Sequence, residues 1–175
     1  MANIHVTRGD LDKAMELYQQ SLEILEGLRD LRNKSAILHA MARIYFTRGN
    51  LDRAMELYQQ ALETMEGLSD LQGKSAILHA MAKIYFTHGN LDRAMELYQQ
   101  SLETAERVGD LRGKSTTLYA MAGIFGKRGD LDKAMQLYQQ SLEFFDGLGD
   151  LLDKSATLYS MAGIYEMRQD IDKAV

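Results

Sequence analysis

Cysteine, proline and tryptophan are absent from the 175-residue chain. Without cysteine there is no disulfide, no thiolate metal ligand and no cysteine nucleophile. That usage fits a reducing compartment, and a cytoplasmic location is expected. Without proline, helix ends must be marked by other residues, glycine above all. No apolar run approaches the roughly 18 residues of a membrane span. Residues 1–9 lack the apolar core of a signal peptide. An excess of basic residues is missing too: 20 Lys and Arg stand against 25 Asp and Glu, a net charge of −5. Readers of nucleic acid usually show a basic patch and a high pI, so a nucleic-acid partner is not expected. No glycine-rich phosphate loop follows a strand, and no cofactor is expected.

What the chain does have is repetition. Gly49-Asn50-Leu51-Asp52-Arg53-Ala54-Met55-Glu56-Leu57-Tyr58-Gln59-Gln60 recurs almost letter for letter at 9–20, 89–100 and 129–140. It starts again at Gln169-Asp170-Ile171-Asp172-Lys173-Ala174. The period is 40 residues, and the intervening sequence repeats with it. A fixed period of this size signals stacked supersecondary units, each touching only its neighbours. The units fall at 9–48, 49–88, 89–128 and 129–168, with half a helix at 1–8 and a partial helix at 169–175. Both ends therefore lie within a repeat, as expected of a piece cut from a longer array.

Each unit carries two helical patterns. Leu51, Ala54, Met55, Tyr58, Ala61 and Leu62 recur at spacings of three and four, one apolar stripe on a helix. Gly49 suits the left-handed end of the helix before it, and Asn50 caps this one. The helix is expected to run from about 51 to 66 and to stop near Gly67 or Ser69. The link Leu68-Ser69-Asp70-Leu71 is short enough to force antiparallel neighbours. The next helix, about 71 to 87, turns Leu78, Met81, Ala82 and Tyr85 inward. Asp70 caps it and lies one turn from Lys74, so an Asp–Lys pair is expected there and in each copy. Ala42, Ala82, Ala122 and Ala162 should let paired helices approach closely. The methionines at two fixed repeat positions read as core, and Ser35, Ser75, Ser115 and Ser155 as scaffold.

Leu38, Met41-Ala42, Tyr45, Gly49-Asn50, Ala54, Tyr58 and Ala61-Leu62 stand in the order of the tetratricopeptide repeat pattern. The chain resembles that family along essentially its whole length. The resemblance implies an all-α solenoid of stacked antiparallel helix hairpins, a right-handed superhelix and a non-enzymatic protein-interaction role. Two features depart from the pattern. The period exceeds the standard 34 residues, and Glu66 stands near the place of the proline that closes the second helix. The unit is thus expected to be an extended variant. Ala40, Ala80, Ala120 and Ser160 occupy one place, and Arg43, Lys83, Gly123 and Gly163 the other, where related adaptors carry backbone-binding asparagines. That ladder is missing, and so is the lysine/asparagine clamp of chaperone-binding members.

The resemblance also implies that partners bind the concave face lined by the first helices. It places His39, Arg43, Phe46 and Thr47 there, then His79, Lys83, Phe86 and Thr87. The third unit adds Tyr119, Gly123, Gly126 and Lys127, and the fourth Tyr159, Gly163, Glu166 and Met167. Two units present His, a cation and Phe, and two present Tyr and glycines. Drift on a solvated face would give the same difference. The alternative is a groove with a cationic, aromatic half that draws an acidic peptide or helix. His39 and His79 supply only two of the three or four ligands a metal needs. A second expectation concerns the ends, where incomplete hairpins and Phe144-Phe145 leave apolar surface open to end-to-end homo-oligomerisation.

Overall fold

The structure, a computed structural model, describes residues 10–68 and 70–174, with side chains described as far as residue 169. Among these residues there are eight helices: α1 (Leu11–Leu28), α2 (Leu31–Thr47), α3 (Leu51–Leu68), α4 (Leu71–Thr87), α5 (Leu91–Val108), α6 (Leu111–Lys127), α7 (Leu131–Leu148) and α8 (Leu151–Ala174). No strand occurs among the described residues. The half helix expected at 1–8 lies outside them.

The ends of each helix follow from local chemistry. Gly49, Gly89 and Gly129 have φ of 76°, 78° and 81°, the left-handed region that side chains with a Cβ avoid. Their N–H groups bond back into the helix they close, and Asn50 N–H reaches Tyr45 O at 2.9 Å. The Asn50 side chain then accepts from Arg53 N–H at 3.1 Å, satisfying one of the free donors of the next helix. Asp30, Asp70, Asp110 and Asp150 cap the first helices in the same way.

Hairpins α2/α3, α4/α5 and α6/α7 share the most extensive interfaces. Their core is the three/four stripe read from the sequence. Leu38, Met41, Ala42 and Ile44 of α2 meet Ala54, Leu57, Tyr58 and Ala61 of α3, all buried. Alanine at 42, 82 and 122 is fully buried, which permits the close approach. A serine bond staples each seam. Ser35 Oγ donates to Ala61 O at 3.0 Å, Ser75 Oγ to Ser101 O at 3.0 Å, and Ser141 Oγ to Ser115 O at 2.9 Å. Helices α2, α4, α6 and α8 touch one another in succession, whereas α1, α3, α5 and α7 do not. The first helices therefore form the tighter inner row and the second helices the wider outer row.

Three expectations need correction. The Asp–Lys pair within one turn is not made. Lys74 Nζ reaches back across the loop to Glu66 at 2.7 Å, and Lys34 and Lys114 do likewise to Glu26 and Glu106. The aspartates are already engaged: each caps a backbone N–H, and Asp70 and Asp150 also meet Arg32 and Arg112 of the preceding repeat. The second correction is at residue 169. The turn expected there does not form, and α8 continues to Ala174. Gln169 replaces the glycine that the left-handed position favours. The third is Ala162, which is exposed because no second helix covers α8.

Candidate partner-binding groove

Along each first helix, the positions of His39, Arg43, Phe46 and Thr47 form a stripe beside the buried one, displaced by a single residue. That displacement turns them toward the inner face of the row. Arg43, Lys83 and Lys127 are exposed, while His39, His79, Phe46, Phe86 and Tyr119 are half-buried.

The rings are held from behind by the outer helices. His39 packs on Tyr58 with centroids 5.4 Å apart, His79 on Tyr98 at 5.1 Å, and Tyr119 on Tyr138 at 5.3 Å. Along the row, each lysine lies over the phenylalanine of the repeat before it. Lys83 Nζ is 5.4 Å from the Phe46 ring centre, and Lys127 Nζ is 4.1 Å from that of Phe86. Both distances lie within the range where a ring face attracts a cation.

Two adjoining cavities result. One of about 340 Å³ is lined by His39, Arg43, Phe46, Thr47, His79 and Lys83, with Tyr58 and alanines behind them. The other, about 490 Å³, takes in His79, Lys83, Phe86, Tyr119 and Lys127, with Gly123, Tyr98, Tyr138 and Phe145. His79 and Lys83 belong to both. Across the two linings Arg43, Lys83 and Lys127 are the cations and Asp153, in the larger cavity, is the one carboxylate. The local charge is therefore opposite in sign to that of the chain as a whole.

Burial sets the ionisation of the rings. Loss of water holds His79 neutral, with its pKa lowered to about 4, and the Lys83 charge pushes the same way. His39 is lowered by burial and by Arg43. Burial pushes the Tyr58 hydroxyl up to about 12, with Arg43 opposing, and raises Tyr98 and Tyr138. At physiological pH the imidazoles are thus hydrogen-bonding groups and the groove's charge comes from Arg43 and the lysines. His79 Nδ1 lies 3.1 Å from Thr117 Oγ1, which adjoins the Ser75–Ser101 staple.

Thr47 lines the smaller cavity, but its hydroxyl, like that of Thr87, is engaged within its own helix. Thr47 and Thr87 donate their hydroxyls to Arg43 O and Lys83 O within their own helices, at 2.9 Å each. Thr87, Tyr159 and Glu166 line neither cavity. Tyr159 is 83% exposed, with no outer helix behind it. Sequence reasoning left Tyr58, Tyr98 and Tyr138 in the core stripe, although their ring edges reach the groove. The signal was a constant separation of 19 residues from His39, His79 and Tyr119. Phe145 was expected among exposed apolar bulk, but it is 1% exposed and floors the larger cavity. Among the described residues no group of three or more His, Asp or Glu is placed to hold a metal ion.

A family model described as tetratricopeptide repeat matches residues 1–67 and 73–147. The chain belongs to the tetratricopeptide repeat family. Solved structures of this fold cover 99% of it. BtubC from P. vanneervenii has 23% identity and a TM-score of 0.83, and the match spans 72% of that chain. Aspartyl phosphate phosphatase F from Bacillus subtilis has 15% identity and a TM-score of 0.85 over 45% of its chain. A Rap protein complexed with Competence and Sporulation Factor has 17% identity and a TM-score of 0.82 over 48% of its chain. Comparison with curated protein sequences finds no match. At these identities the likeness establishes the tetratricopeptide solenoid fold. None of the described helices is long and apolar enough to cross a membrane.

Proposed function

We propose that this tetratricopeptide array is a non-enzymatic binding module whose inner groove captures a peptide or helix bearing acidic and aromatic side chains. The observation that carries the reading is the ladder of cations and rings across the two adjoining cavities. Arg43, Lys83 and Lys127 offer charge, Phe46 and Phe86 offer apolar faces, and Gly123 leaves room for a partner backbone to come close. An anionic segment is drawn by the long-range field and then sheds water against the rings. The same fold occurs in a Rap protein complexed with Competence and Sporulation Factor, which supports a binding role.

The test is an array of equal-length acidic, neutral and basic peptides, probed with the wild-type chain and with Arg43→Glu, Lys83→Glu and Lys127→Glu. Acidic peptides are expected to be retained and to lose binding at least tenfold on each reversal. The melting temperature should hold, because all three side chains are exposed. Unchanged retention by the three variants would overturn the groove assignment.

A further inference from the structure

At the start of each inner helix an aspartate divides its carboxylate between two tasks. One oxygen, Oδ1, caps the helix: in Asp30, Asp70, Asp110 and Asp150 it accepts the backbone N–H of Asn33, Gly73, Gly113 and Asp153 at 2.9–3.2 Å. The other oxygen, Oδ2, takes a side-chain donor in three of the four. In Asp30 it accepts from Asn33 Nδ2 at 2.6 Å. In Asp70 and Asp150 it pairs with an arginine of the preceding inner helix, Arg32 at 3.3 Å and Arg112 at 2.6 Å.

Asp110 is the exception. Gly113 stands in the place of Asn33, and Gln72 in the place of Arg32 and Arg112. Among the described residues Asp110 Oδ2 has neither a hydrogen bond nor a cation, although the residue is half-buried. The atom is not sealed away, since no buried side-chain oxygen or nitrogen of the described residues lacks a partner. The carboxylate lines a cavity of about 340 Å³ between the inner helices α4 and α6, together with Gln72, Ser75, Thr116 and Thr117. The Thr116 hydroxyl donates within its own helix, to Arg112 O and Gly113 O, which leaves its oxygen able to accept. Arg112 also lines the cavity, but its guanidinium is held by Asp150. His79 borders this cavity and both cavities of the groove.

We propose that this cavity takes the guanidinium group of an arginine side chain carried by a polypeptide partner, with Asp110 Oδ2 as its counter-charge. The occupant follows from the chain itself, which sets a guanidinium on the same oxygen in the repeats before and after. A partner's arginine supplies from outside the group that Gln72 lacks. Arginine suits the cavity better than lysine, because its planar fork presents several donors at once. The oxygens of Gln72 and Thr116 line the same cavity and can accept those that Asp110 does not. Because His79 borders the groove as well, a segment lying there is positioned to extend a side chain to Asp110. A free amino acid would add an ammonium and a carboxylate, for which the cavity holds no further unpaired charge. The site is separate from the cavities of cations and rings and takes a ligand of opposite charge, so it stands or falls apart from the acidic-peptide reading.

Amide NMR titrations at constant ionic strength test this, with N-acetyl-arginine methylamide as the probe and its lysine counterpart and free arginine for comparison. The blocked arginine should shift the Gly113 amide, whose N–H bonds to the same carboxylate, and the Thr116 and Thr117 amides of the lining. Asp110→Asn keeps a good helix cap but removes the charge, and should weaken binding about tenfold or more. Gln72→Arg, at an exposed position, should fill the site from within. The Gly113 amide of that variant should already be shifted, and the probe should no longer bind. A wild-type chain that shows no shift at tens of millimolar probe overturns the proposal. So does undiminished binding by Asp110→Asn or by Gln72→Arg. Equal affinity for the lysine counterpart overturns the assignment to a guanidinium, and tighter binding of free arginine overturns the assignment to a polypeptide side chain.

Discussion

His79 is the groove side chain whose chemistry the fold alters most. Its ring is packed on Tyr98, its Nδ1 faces Thr117, and Lys83 lies one turn further along the helix. Loss of water and the Lys83 charge favour the neutral ring, and its pKa falls from 6.5 to about 4. Between those values the unfolded chain binds the proton that the folded chain refuses, so stability rises with pH across that window. Acidification from about 6.5 to about 4 should therefore weaken the fold, by on the order of 2–3 kcal/mol from this group. In His79→Gln the slope of stability against pH should flatten in the same window, read by urea unfolding. An NMR titration should find the His79 ring neutral until close to pH 4.

The sequence distinguished the groove's two halves, because His39-Arg43-Phe46 and Tyr119-Gly123-Gly126 differ at fixed repeat positions. It did not show that His79 is stripped of water. Periodicity gives the direction of a side chain from its helix axis, but the covering Tyr98 and Thr117 come from other helices. Nor did it place Tyr58, Tyr98 and Tyr138 at the groove. A large ring on the edge of a core stripe belongs to the core by one end and to the surface by the other.

At the scale of the element, the turns decide where helices stop. A Cβ added at Gly129 would meet nothing within 4 Å, so substitution there is strained by backbone geometry alone. Gly129→Ala is expected to destabilise by about 1–2 kcal/mol in chemical denaturation. Arg29 is the converse case. It closes α1 at φ 55°, where the corresponding Gly109 and Gly149 stand at 69° and 68°. Arg29→Gly should raise stability by up to about 1 kcal/mol. Helix bounds were largely legible because cap and stop residues recur with the period. The end of α8 was not, since the motif Asp170-Ile171-Asp172-Lys173-Ala174 looks like a helix start whether or not a turn precedes it. One residue, Gln169, removes the turn. The lysine partners were hidden for another reason: spacing within a helix offers Asp70 to Lys74, but the short loop brings Glu66 within reach as well.

For the molecule as a whole, stability is a sum over units and seams. Among the described residues, helices α4, α5 and α6 pack against helices on both sides along the row, while α1 contacts α2 alone and α8 contacts α6 and α7. Native-state hydrogen exchange should find the slowest amides in α4–α6 and the fastest in α1 and α8. Equal protection in all eight helices would mean that the array opens only as a single unit. The ion pairs that tie the two helices of one unit, Arg48–Asp12, Arg128–Asp92 and Arg168–Asp132, leave their aspartates almost wholly exposed. Each is worth no more than about 1 kcal/mol. The gradient therefore follows buried surface, not charge.

The perch of each lysine above a phenylalanine one unit back has a bearing on how a guest is received. Each contact favours one placement of the ammonium group over others by about 0.5–1 kcal/mol, so the groove's cations are biased toward the ring faces before anything binds. Part of the ordering that capture would demand of these side chains is thereby reduced. The ruler is built in as well: the cations recur at the spacing of the repeats, so a guest of the proposed acidic kind would engage more than one of them only if its own charges share that spacing.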